Sequence, residues 1–181
     1  MRPRSYSSEG IVLARRNYGE ADRILVIYSK NYGKLSLMAK GVRMLKSRKR
    51  GSLEVFSHIN FSAARGKSLD IMTEAEYIDF YPQIRKNLNK VAVAYFFMET
   101  IGRVTQEGEK NEALYLLLLK KLSNLKTSKT LKNLRKEFIY EVLTQVGFWP
   151  RGKKLDNHDQ VLEDVVEREM SSARVGKKLL S

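Results

Sequence analysis

Apolar and polar positions alternate along the first 80 residues, and then the period changes. Gly10–Arg16 reads as a strand, with Ile11 and Leu13 on one face and Arg15 continuing it. Asn17-Tyr18-Gly19-Glu20 is turn-like. Arg23–Ser29 follows as a second strand, rich in Ile, Leu and Val. Asn31-Tyr32-Gly33 is a short turn into Lys34–Ala39, where Leu35, Leu37 and Ala39 alternate with Ser36 and Met38. Strands joined by so few residues are antiparallel. Strand signals resume at Val55–Ala63, with Val55, Ser57, Ile59, Phe61 and Ala63 on one face. Ala64-Arg65-Gly66-Lys67 turns the chain into Leu69–Tyr77, where Leu69, Ile71, Ala75 and Tyr77 alternate with acids. Five short strands, with a longer connection after the third, predict an all-β OB-fold barrel; an SH3-like barrel is the competing reading.

At Pro82 the apolar spacing changes to about 3.6 residues, and proline favours the first helical position. The expected domains are therefore a barrel over 1–80 and an all-α helical domain over 81–181. Ile84, Leu88, Val91, Tyr95 and Met98 predict one helix from Pro82 to about Gln106. Leu114, Leu117, Leu118 and Leu122 share a face of a second, Glu112–Leu125, with Tyr115, Leu116 and Leu119 widening it. A third, Thr130–Val146, turns Leu131, Leu134, Phe138, Val142 and Val146 inward, and Gly147 suits its C-terminal cap. Asn157-His158-Asp159-Gln160 resembles a capping box opening a fourth helix that holds Val161, Leu162, Val165, Val166 and Met170.

Charge adds a functional direction. The chain carries 34 Lys and Arg against 20 Asp and Glu, a formal net charge of +14. The two halves share it: 15 basic and 8 acidic residues in 1–80, 19 and 12 in 81–181. Such a balance implies a polyanionic partner, nucleic acid or an anionic membrane surface. The longest apolar runs, Val91–Met98 and Leu114–Leu119, are far short of a membrane span. The start, Met1–Tyr6, leads into no signal-peptide-like run, so a cytoplasmic protein is expected. The sequence has no cysteine, which removes thiolate metal sites and cysteine nucleophiles.

Enzyme chemistry finds little support. Gly66-Lys67-Ser68 has the end of a phosphate loop, but Phe61 stands where the leading glycine belongs, and the segment joins two strands. His58 is out of phase with its strand's apolar face and reads as a surface or edge histidine rather than a base. His158 sits in a helix-cap region, and Glu74 and Glu76 read as solvated charge. No nucleophile, base and orienter assemble. The positive signal is Lys40–Gly51, with six basic residues and no acid. OB barrels bind single strands through basic grooves with aromatic stacking platforms. The phosphate-contact candidates are Arg15, Arg16, Arg23, Lys34, Lys40, Arg43, Lys46, Arg48, Lys49 and Arg50. The stacking candidates are Tyr18, Tyr28, Tyr32 and Phe56. An RNA-binding protein or an adaptor with a protein-binding helical domain is the alternative.

Several short motifs then occur in one order: Glu9–Leu13, Tyr18–Leu25, Gly33-Lys34-Leu35, Ala39–Arg43, Ser47, Leu53–Phe56 and Glu74-Ala75. In this the chain resembles the bacterial RecO family of recombination mediators. Tyr95–Glu99 and Phe138 to Gly147-Phe148-Trp149-Pro150 carry a looser similarity in the helical part. The resemblance implies binding to single- and double-stranded DNA, annealing of complementary strands, and no enzymatic turnover. It also implies association with the nucleoid when bound to DNA. It further implies work with RecR, and with the acidic tail of single-stranded DNA-binding protein, to load the recombinase. Lys121, Lys132, Arg135 and Lys136 are the expected basic rim for that tail. One departure stands out: many members carry four cysteines after the glycine–proline corner, as a zinc hairpin, where this chain has Arg151-Gly152-Lys153-Lys154. A short, zinc-less variant held by helix packing is expected.

Overall fold

The structure is a computed structural model and describes residues 3–44 and 53–167. Five strands, β1 (Ser5–Tyr18), β2 (Asp22–Ser29), β3 (Gly33–Ala39), β4 (His58–Ala64) and β5 (Asp70–Asp79), close a barrel in the order β1-β2-β3-β5-β4. Long β1 pairs antiparallel with both β2 and β4, and β3 pairs parallel with β5. This is the OB-fold topology. Val12, Leu25, Ile27, Leu37, Ile59, Phe61 and Met72 fill the interior.

Two irregularities alter the faces expected from simple alternation. In β1 the register with β2 shifts between Val12 and Ala14, so Leu13 is an extra, bulged residue. The Val55–Ser57 stretch is not strand. It meets the bulge instead: Phe56 N–H donates to the Val12 carbonyl at 2.8 Å and Val12 N–H to the Ser57 carbonyl at 3.1 Å. A second shift, between His58 and Ile59, corrects the reading of His58 as a surface residue. His58 is buried, with Nε2 3.7 Å from Glu9.

Burial lowers the His58 imidazole below its ordinary pKa of 6.5, against the opposing pull of Glu9 and Asp79. The folded chain therefore binds this proton more weakly than the unfolded chain. Its contribution to stability is present above pH 6.5 and is lost as pH falls below that value. Urea unfolding midpoints are expected to drop between about pH 7 and pH 5, and His58→Gln is expected to remove part of the drop. An equal drop in the variant would refute the assignment.

The loop 105–111 belongs with the barrel unit. Lys34 Nζ donates to the Thr105 carbonyl at 2.5 Å, Gly108 N–H to the Lys34 carbonyl at 2.9 Å, and Ser36 Oγ to Glu107. Gly33 has φ +67°, and a β-carbon there would overlap the Glu109 carbonyl, so glycine is what permits this approach.

Among the described residues the helical unit comprises 81–104 with 112–167. Its described elements are α1 (Pro82–Arg85), α2 (Leu88–Val104), α3 (Glu112–Thr127), α4 (Leu131–Gln145) and α5 (His158–Val166). The single helix expected from Pro82 is thus two. Asn87 interrupts it because its Oδ1 accepts the Lys90 N–H at 3.1 Å, capping α2. The expected stripe is corrected as well. Leu88 and Tyr95 are exposed, whereas Val93, Phe96, Phe97 and Ile101 are buried. The Phe97 ring stacks on Phe138 at 4.0 Å between centroids. In α3, Leu116 is exposed rather than part of the packed face.

At the end of α4, Gly147 at φ +84° lets Phe148 N–H reach the Leu143 carbonyl and Gly147 N–H the Thr144 carbonyl, a Schellman cap. The capping box at Asn157 does not form. Asn157 makes no side-chain cap bond, and Gln160 bonds Asp164 instead. Met170 lies outside the described residues.

Candidate nucleic-acid interface

The register builds one outward row across four strands. Arg16 stands opposite Ile24, Ile24 opposite Met38, and Met38 opposite Ile71. With strands spaced about 4.8 Å apart, the row spans roughly 14 Å. Tyr18, two residues beyond Arg16, lies on the same face of β1. A groove of about 420 Å³ opens here, lined by Tyr18, Ile24, Met38, Lys40, Gly66, Lys67, Ser68, Leu69 and Ile71. Its floor is apolar. Its rim is Tyr18 (53% exposed) together with exposed Lys40 and Lys67. A β-carbon on Gly66 would overlap the Leu69 carbonyl, so the tight β4–β5 turn that forms one wall requires glycine. Strand pattern alone does not single out Lys67. Its signal was its position in that turn, one of the two loops that flank the binding face of OB barrels.

The candidates divide by what they already hold. Arg16, Lys40 and Lys67 are exposed and make no ion pair among the described residues. Arg15 and Arg23 share Glu54, with Arg15 Nη1 at 2.8 Å and Arg23 Nη1 at 3.9 Å. Because Leu13 bulges, Arg15 stands opposite the inward residue Leu25, so it faces the barrel end rather than the groove. Arg23 also donates to Asn17 Oδ1 at 3.2 Å. Lys34 is held by the loop 105–111, and burial lowers its pKa against the pull of Glu107. Arg43 donates to the Gly19 carbonyl at 3.0 Å. Lys46, Arg48, Lys49 and Arg50 lie outside the described residues.

Two stacking candidates are corrected. Tyr28 is fully buried, its hydroxyl donating to the Asn111 carbonyl at 3.4 Å and pushed up to about 12 by burial. Phe56 is 1% exposed, with its backbone in the left-handed region at φ 56°. Neither ring has a face to offer a base. Tyr32 is half-buried, edge-on to Tyr6 at 4.7 Å between ring centroids. Only Tyr18 of the four lines the groove.

In the helical unit two of the four expected rim residues are internal. Lys121 is 2% exposed, with Nζ 2.7 Å from Glu141 and 3.4 Å from Glu137. Arg135 is buried, pairs with Asp159, and lies 4.0 Å over the Phe96 ring. Their charges serve helix packing, which corrects their assignment to a rim. Lys132 and Lys136, one turn apart on α4, are exposed. His158 is partly buried at the start of α5.

Among the described residues no group of three or more His, Cys, Asp or Glu is placed to hold a metal ion. No described helix is long and apolar enough to cross a membrane.

A closed β1-β2-β3-β5-β4 barrel with a cation-rimmed groove over β2 and β3, followed by a helical unit, defines an OB-fold protein with a C-terminal helical domain. Residues 1–81 match the family described as Recombination protein O N terminal, and residues 85–154 match Recombination protein O C terminal. The chain belongs to the RecO family. It is 35% identical over 145 residues to the DNA repair protein RecO of Pelotomaculum thermopropionicum, covering 80% of this chain and 56% of that relative. It is 37% identical over 123 residues to the DNA repair protein RecO of Moorella thermoacetica, covering 68% and 46%. With that of Symbiobacterium thermophilum it shares 31% over 146 residues, covering 80% and 58%. The chain thus spans roughly half the length of these relatives.

Proposed function

We propose that this chain is a DNA-binding recombination mediator that takes a single strand in the groove over β2 and β3. One observation carries the reading: an apolar floor joins an exposed tyrosine and two lysines, with Arg16 in the same outward row, and none of these three cations pairs with a carboxylate among the described residues. Duplex DNA hides its bases and offers phosphates. A groove with an apolar floor gains further from bases that are unstacked. The relatives' description as DNA repair proteins supports DNA over RNA as the polymer. Annealing follows from the same chemistry, because cations that screen phosphates lower the repulsion between complementary strands. Loading of a recombinase, with RecR and single-stranded DNA-binding protein as partners, is the family's role extended to this chain. Lys132 and Lys136 are the positions proposed for an acidic tail.

The test is fluorescence anisotropy with single-stranded DNA, duplex DNA and RNA over a salt series, followed by a strand-annealing assay. Single-stranded DNA is expected to bind tightest, with little sequence preference, since backbone contacts position without specifying. Preference for RNA would favour a role in RNA metabolism. Weak binding to all three would favour an adaptor. Tyr18→Ala is expected to cost about 1–3 kcal/mol of single-strand affinity, the worth of one stacked base. Its effect on the salt slope is expected to be small, because no charge is lost.

A further inference from the structure

The groove stands beside a clasp that joins two turns of the barrel. The turn between β1 and β2 comprises residues 19–21, with Asp22 the first residue of β2, and the turn after β3 begins at Lys40. Asp22 Oδ1 accepts the Gly41 N–H at 2.7 Å. The Ala21 carbonyl accepts the Arg43 N–H at 2.9 Å, and the Gly19 carbonyl accepts from the Arg43 guanidinium at 3.0 Å. Val42, between the two donors, is fully buried. Gly19 and Gly41 both hold positive φ, +57° and +64°, as these tight turns require. Three hydrogen bonds therefore tie the segment following the groove's tyrosine to the segment following its lysine.

From this we infer that Asp22 and Arg43 are positioning residues for single-strand binding, acting through Tyr18 and Lys40 rather than on DNA. The inference rests on the groove reading above. Its content is a sign. An acid next to a phosphate-binding groove should weaken binding by repulsion, and removing it should help. If Asp22 holds Lys40 and Tyr18 in register, displacing its carboxylate weakens binding even though the local charge is unchanged. Arg43 likewise contributes through the Gly19 carbonyl, not through a phosphate.

Three variants of the full chain separate these effects in salt-series anisotropy with single-stranded DNA. Asp22→Glu keeps the charge and displaces the acceptor by one methylene. Asp22→Asn keeps an acceptor oxygen and removes the charge. Asp22→Ala removes both. We expect Asp22→Glu and Asp22→Ala to bind about fivefold or more weakly near 0.1 M salt, with the salt slope lowered by roughly one phosphate contact. Asp22→Asn should bind as tightly as the parent or tighter. A purely structural role lowers the active fraction and leaves the slope unchanged, so slope and active-site titration are read together. Asp22→Glu binding like the parent, or an unchanged slope, overturns the inference. Tyr18→Ala in the same series is the control on the groove itself: if it binds like the parent, the groove reading fails. If Tyr18→Ala weakens binding while Asp22→Glu does not, only the clasp inference fails.

Discussion

Replacing Arg16, Lys40 and Lys67 together by alanine is expected to weaken single-strand binding about 100-fold at 0.1 M salt. Each phosphate neutralised on a single strand contributes a log–log salt slope of roughly −0.7, and three lost contacts remove about two units of slope, hence about two decades at 0.1 M. These cations share the rim and row of one groove and have no ion-pair partner among the described residues, so their charge is available to phosphate. Arg15→Ala provides the internal comparison. Its guanidinium already faces Glu54 at 2.8 Å, and removing it releases that carboxylate. The loss of slope should therefore be smaller than for Arg16→Ala, although the two residues are adjacent. Equal effects would mean that general basicity, not the groove, draws the strand. Salt-dependent anisotropy on the four proteins decides it.

The second large effect concerns stability. Lys121 is buried with its ammonium between Glu137 and Glu141, both of which keep contact with solvent. Removing both acids strands a buried charge, and the combined Glu137→Ala and Glu141→Ala variant should lose about 3–5 kcal/mol. Lys121→Met fills the same space with an apolar chain and leaves two carboxylates that water can reach. It should change stability by no more than about 1–2 kcal/mol. Urea unfolding followed by circular dichroism measures both. If Lys121→Met proved the more damaging, the packing account of this lysine would be wrong.

Burial separates residues that look alike in sequence. Lys121 and Lys132 both sit in basic helical segments, yet one is interior and the other exposed. Arg15 and Arg16 are neighbours, and only the bulge at Leu13 decides which of them joins the groove's row. Tyr18 and Tyr28 both flank or belong to β2, yet the loop 105–111 lies against Tyr28 while Tyr18 stays open. That loop comes from beyond α2, more than 70 residues along the chain from Tyr28, and no local pattern announces it. His58 is similar. Strict alternation puts it outside, and a register shift at Ile59 puts it among buried neighbours.

The barrel-then-helix order and the approximate positions of the five strands follow from local period and turn chemistry, which act within a few residues, and the strong positive charge follows from composition. The sequence's short ordered motifs also pointed to the family, and two of them, Tyr18–Leu25 and Ala39–Arg43, supply the two sides of the clasp. Which of the candidate side chains are exposed and which are already paired is decided only by tertiary contacts. Bulges, the distant loop and the pairing of buried charges determine which cation faces solvent and which faces a carboxylate. Those depend on contacts between residues far apart in the chain, and neither composition nor periodicity records them.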